Sequence, residues 1–230
     1  MSRLIMRFIG LILCLIMAGC SIFHGRIPVK VNSLANQNAM VYRHYVVLPA
    51  DPALPRNDLV FQEFTRQLDR AMMQAGFIKT YAETEADLIV KMSYSIGAPE
   101  VSNIHYQEPV YDEVGTRAVT RIREVKTKDG KERIKETVYE PIYGVVGYEE
   151  KVRQEINFTS QLDLEARHKA NDELVWQTHT TSTNGHNDLR FVFPYLVAGT
   201  QPYLGLSSGI VRTITIEVDG PEVKLIQGQE

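Results

Sequence analysis

The chain has only two cysteines in 230 residues, Cys14 and Cys20, and one tryptophan, Trp176. Past residue 20 there is no thiol. Neither a disulfide nor a cysteine-ligated metal can hold the remainder together, so its stability must come from packing. An excess of positive charge is missing too. The formal net charge is −3, and without Arg3 and Arg7 the rest sets 23 basic residues against 28 acidic ones. Nucleic acid, whose phosphates call for a basic face, is excluded as a partner on that ground. There is no glycine-rich phosphate loop ending in Lys-Ser or Lys-Thr, and no His-Glu-x-x-His. His179, His186 and Asp188 offer two imidazoles and a carboxylate of the kind zinc accepts, but no ligand spacing supports them. Glu149 and Glu150 are adjacent, and neighbours on a strand point to opposite faces, so they are poorly placed for shared acid–base work. These gaps predict a protein that is not an enzyme and that needs no cofactor and no metal.

What is present begins at the N-terminus. Residues 1–19 combine Arg3 and Arg7 with an apolar stretch over 8–17 and the small pair Ala18-Gly19. These are the parts of a secretory signal. The stretch is short for a spanning helix, which takes about 20 apolar residues. Cys20 follows directly, and Met17-Ala18-Gly19-Cys20 resembles the bacterial lipobox, with Met where Leu is usual. The resemblance implies diacylglycerol on the Cys20 sulfur as a thioether and a further acyl chain on the amine freed by cleavage. Two or more chains hold a protein stably on a membrane. An ordinary signal peptide with an incidental cysteine, or an uncleaved anchor helix, is the other reading. Ser21, in place of Asp, resembles the outer-membrane default of lipoprotein sorting. The expectation is a chain anchored at the outer membrane through Cys20, with its domain in the periplasm.

Residues 20–38 carry Pro28, Asn32, Asn36, Gln37 and Asn38 and read as a tether, a first strand over 27–31 being the alternative. One domain is expected over 39–220, interrupted by an insertion at 104–152, with a short C-terminal extension at 221–230. Val41, Tyr42, Tyr45, Val46 and Val47 predict a strand that stops at Pro49. Asn57 or Asp58 can cap a helix whose apolar stripe is Leu59, Phe61, Phe64, Leu68, Met72 and Ala75, ended by Gly76. Leu88, Val90, Met92, Tyr94 and Ile96 alternate with other residues, as do Phe158, Ser160, Leu162, Leu164 and Ala166; both read as half-buried strands. A hairpin mate through about Thr183 and a closing strand through Ile214 and Ile216 complete the pattern. Spacing leaves open whether the first two strands adjoin. The pattern predicts an α+β fold: a two-layer α/β sandwich, one mixed or antiparallel sheet with helices mainly on one face, and a long β-hairpin insertion.

The insertion is dense in Tyr, Glu, Lys, Arg and Val and contains a weak repeat, Glu108-Pro109-Val110-Tyr111 and Glu140-Pro141-Ile142-Tyr143. Between the copies, Asp129-Gly130 is a strong hairpin-turn signal. A turn there sets Arg123 opposite Glu136, Val125 opposite Ile134 and Gly115 opposite Gly144, although Lys126 opposite Arg133 counts against it. An arm over 116–143 would reach roughly 40 Å at about 3.3 Å per residue. Arg123, Val125, Asp129, Gly130, Ile134 and Glu136 are therefore candidate residues of a docking arm for another envelope protein. A solvated loop decoration is the bland alternative.

Beyond Asn187, Leu189, Val192, Phe193, Leu196 and Val197 sit at helical spacing around Pro194, predicting a kinked helix or two short pieces ending by Gly199. The apolar run 191–206 either covers the sheet or lines a groove through Phe191, Phe193, Tyr195, Leu196 and Tyr203. A groove would make the protein a periplasmic carrier of an apolar ligand or acyl chain. Asp188-Leu189-Arg190, Phe193-Pro194-Tyr195, Pro202-Tyr203-Leu204-Gly205, Ala86-Asp87-Leu88 and Leu174-Val175-Trp176, taken with the lipobox, resemble a domain-of-unknown-function family of bacterial lipoproteins. That resemblance, over about residues 40–218, implies the α/β fold and the envelope compartment and no catalytic residues. It is weakest in the charged insertion.

Overall fold

The computed structural model describes residues 25–127 and 130–229; Cys20, Asp129 and the Val125 side chain lie outside the described residues. The chain divides into two compact units. One is built from the chain up to Pro99 and from Asn157 onward, the other is Glu100–Ile156.

The described residues form β1 (Arg26–Ala35), β2 (His44–Pro49), α1 (Leu59–Gln74), β3 (Ile78–Lys79), β4 (Leu88–Ile96), β5 (Glu100–Thr127), β6 (Gly130–His168), β7 (Leu174–Asn184), α2 (Leu189–Thr200), β8 (Arg212–Glu217) and α3 (Pro221–Gln227). The class is mixed α/β, with an open mixed sheet of eight strands and three helices among these residues. The first unit runs in the order β3-β2-β4-β6-β7-β1-β8, while β5 pairs only with β6. β3, β2 and β4 are parallel, and the other pairings of the first unit are antiparallel. β2 and β4 adjoin, with Tyr45 beside Leu88 and Val47 beside Val90. Parallel neighbours need a crossover, which α1 supplies.

Local chemistry accounts for these elements. The Asp58 carboxylate accepts from the Phe61 N–H at 2.8 Å and so caps α1. Just past the helix, Gly76 takes φ +87°, the left-handed conformation that glycine adopts without a Cβ penalty. Phe64 on α1 stacks on Phe193 on α2, centroids 3.8 Å apart and rings 7° from parallel, and Tyr94 of β4 meets both edge-on. α2 lies close on β1: a Cβ at Gly199 would come within 2.6 Å of Val29 Cγ1. Hydroxyls stitch this contact. Thr180 and Thr200 meet at 2.7 Å, Thr200 Oγ1 donates to the Leu196 carbonyl, and Ser182 Oγ donates to the Pro28 carbonyl. Buried and satisfied, such groups favour one packing arrangement over its alternatives.

Four expectations are corrected. The tether of 20–38 contains a full strand, because Ile27, Val29, Val31 and Ser33 alternate inward along β1 between β7 and β8. The extension of 221–230 contains α3, whose Val223 and Ile226 are fully buried. α2 runs through Pro194 as one helix, which overturns the reading as two short pieces; the Asp188 side chain caps its start by accepting from the Arg190 N–H. The single domain with an insertion at 104–152 becomes two units, the second beginning at Glu100 and ending at Ile156.

In the second unit, β5 and the first part of β6 form a two-stranded ribbon. Two strands enclose no interior. Val101, Ile104, Tyr106, Tyr111, Val114 and Ile122 on β5 are exposed, as are Ile134, Tyr139, Tyr143, Val146 and Tyr148 on β6.

Candidate functional site

The ribbon is organised by charge. Arg121 Nη2 donates to Glu140 Oε1 at 2.6 Å, and Arg117 Nη2 donates to Oε2 at 3.0 Å. The Arg117 and Arg121 guanidiniums each take one Glu140 oxygen, so a single carboxylate joins two charge-assisted bonds. Lys151 pairs with Glu108, whose carboxylate raises the ammonium, and Arg133 pairs with Glu124 at 3.2 Å. All these side chains are solvated, and exposed pairs stabilise little. They orient the strands more than they hold the unit together.

Of the docking residues read from sequence, Arg123, Ile134 and Glu136 are exposed on the ribbon and Gly130 opens β6, while Asp129 and the Val125 side chain lie outside the described residues. Among the described residues Arg123 and Glu136 have no ion-pair partner. The cluster that does form, Arg117 and Arg121 with Glu140, escaped sequence reasoning. Its available signal was the Glu140-Pro141 repeat, which places a carboxylate midway along a strand facing arginines.

The proposed apolar groove is filled by its own lining. Phe193, Tyr195 and Leu196 are buried in the core, and only Phe191 and Tyr203 keep appreciable exposure. Burial also raises the Tyr195 phenol. Helical spacing carries these side chains onto β1, β7 and α1, where they pack.

The outer face of the first sheet carries a polar row. Ser93 on β4, Asp163 on β6, His179 on β7 and Asn32 on β1 are direct neighbours in register. His179 Nδ1 and Asp163 Oδ1 are 2.5 Å apart. The order matters. With strands about 4.8 Å apart, Ser93 stands roughly 10 Å from His179, with the carboxylate between them. A serine nucleophile needs the imidazole as its neighbour, so the row is not a catalytic relay. His186 packs against Phe191 instead, ring centroids 4.2 Å apart. Gly205-Leu206-Ser207-Ser208-Gly209 has the spacing of a nucleophile elbow. It forms a loop before β8, not a strand-to-helix turn. There Ser207 Oγ accepts from the Ala35 N–H and Ser208 Oγ accepts from the Ser33 N–H, tying the loop to β1. Among the described residues no three His, Cys, Asp or Glu side chains gather as a metal site, and no helix is long and apolar enough to cross a membrane.

No protein-family model matches this chain, and no curated protein matches it. Among solved structures, a PDZ domain protein from Parabacteroides distasonis is similar, with a TM-score of 0.41 at 8% identity. The similarity covers 84% of this chain and 40% of that one. So distant a likeness carries no functional argument.

Proposed function

We propose that this protein is a lipid-anchored component of the bacterial envelope, held at the outer membrane by acylation of Cys20 with its first unit in the periplasm, and that it acts without catalysis as a docking protein. The same reading makes it one of the bacterial lipoproteins of unknown function, its first unit a two-layer α/β sandwich with helices mainly on one face. One observation carries the docking role. The ribbon of β5 and β6 exposes tyrosines, valines and isoleucines along its length and has no interior to hide them. A two-stranded ribbon is marginal alone in water, and a run of exposed apolar side chains marks a surface that something else covers.

The test is photocrosslinking in intact cells, with the reactive residue placed in turn at Ile122, Ile134, Tyr139 and Tyr143. A discrete protein product is expected at several positions. It should disappear in a Cys20→Ser chain, which should also leave the membrane fraction. If no position captures a protein, the docking role is wrong.

A further inference from the structure

We propose that several copies of this chain close their ribbons edge to edge into one β-barrel that crosses a lipid bilayer, each copy contributing β5 and β6. The inference rests on the docking reading and deepens it by naming the partner as further copies of the same chain.

The argument starts from the two faces of the ribbon. Arg117, Arg121 and Glu140 meet, so they share a face. Side chains alternate along a strand, which puts Ala118, Thr120 and Ile122 of β5, with Thr137, Tyr139 and Pro141 of β6, on the other. That second face bears no charge over residues 114–122 of β5 or over 137–148 of β6. Val114 lies against Gly144, a sign that the alternation shifts by one near Gly115. The shift leaves the uncharged band intact, because residues 114–116 and 141–148 carry no charge on either face. A membrane-crossing strand needs about 9–11 residues with one lipid-compatible face. Both strands meet that length.

The ends of the band fit the same reading. Glu124, Arg133 and Lys135 bound it on one side and Asp112, Glu149 and Glu150 on the other. Tyr139, near one end of the band on the uncharged face of β6, keeps its ring exposed, and tyrosine favours the boundary between lipid and water. The opposite face, with three arginines, Glu136 and Glu140, suits a wet interior.

Edges decide the number of chains. Among the described residues the ribbon part of β6 pairs only with β5, and β5 only with β6, so each strand keeps one open edge there. Lipid tolerates no open edge, since its unpaired N–H and C=O groups find no water there. Placing β5 of one copy beside β6 of the next keeps every neighbour antiparallel and repeats until the ring closes.

The test uses the full chain in the membranes of bacteria that produce it. Single cysteines replace Val119 and Val138 on the charged face, and Ala118, Thr120, Thr137 and Tyr139 on the uncharged face, with the parent chain as background. A membrane-impermeant maleimide is expected to label the first pair at least about tenfold faster than the other four, which should become reactive once detergent removes the lipid. Chains with cysteine at Arg123, produced together with chains with cysteine at Glu136, should crosslink to one another into dimers of this protein, since neither chain alone holds both thiols. Trp176 fluorescence confirms that each variant keeps its first unit folded. Equal labelling of the two faces, or a chain that stays monomeric, overturns the barrel. A crosslink to a different protein also overturns it while leaving the docking role standing, and capture of no protein sinks both.

Discussion

The two units treat a large side chain in opposite ways. In the first, Phe64, Trp176 and Leu164 keep at most 1% of their surface, while in the second Tyr139, Tyr143 and Tyr148 keep 66–70%. The first unit thus has apolar burial to set against the entropy of ordering its chain. The second has almost none, and its order rests on a ladder of backbone hydrogen bonds and solvated ion pairs. Its apolar side chains remain available to something outside the unit. The comparison separates where stability resides from where recognition resides.

The largest expected break in that comparison is Phe64→Ala. It removes a ring stacked on Phe193 and touched by Tyr94, and should cost about 3–5 kcal/mol in urea or guanidinium unfolding. An effect under about 1 kcal/mol would mean that the aromatic cluster does not anchor the first unit.

Tyr45→Phe should cost less, about 1–3 kcal/mol. The Tyr45 hydroxyl donates to the buried Asp69 carboxylate at 2.9 Å, and Lys79 holds the other oxygen at 2.7 Å. Burial first, and Asp69 second, push the Tyr45 phenol far above its ordinary value. The sign follows. Tyr45 is neutral in the fold, and its contribution is complete below the unfolded value of about 10 and declines as pH rises past it. The gap between Tyr45→Phe and the parent should narrow between about pH 9 and 11. A constant gap would show that this phenol is not coupled to folding.

The smallest expected effect is Tyr139→Ala. With its ring solvated on the ribbon, it should shift unfolding by no more than about 0.5 kcal/mol while weakening the crosslinks described above. A large loss of stability would show that the ribbon's tyrosines pack within the chain after all.

Much of the first unit was legible because strand and helix periods are local. Leu88, Val90 and Met92 point inward as their spacing required, and Asp58 caps α1 from where it stands in the chain. β1 was harder to see. Its inward residues are interleaved with Lys30 and Asn32 and followed by three more amide residues, so the stretch looks like a spacer until β7 and β8 lie on either side of it. α3 was hidden for a similar reason: Val223, Leu225 and Ile226 in a seven-residue stretch make no clear pattern, and Val223 and Ile226 acquire meaning only inside the folded core. For the candidate site, Asp129-Gly130 pointed to a long hairpin, but the cluster at Glu140 involves side chains 19 and 23 positions apart. The supposed groove fared worst, because the same phenylalanines and leucines serve equally to line a cavity or to fill one.

By itself the sequence determined the local elements: which stretches alternate, where helices begin, and that no thiol beyond Cys20 can brace them. Only the tertiary structure decided which strands adjoin, that α2 is core and not a wall, and that the ribbon's apolar side chains stay exposed. Periodicity follows from the geometry of one backbone segment. Pairing and burial depend on which distant segment arrives to cover it, and a short apolar stretch carries no mark of its neighbour.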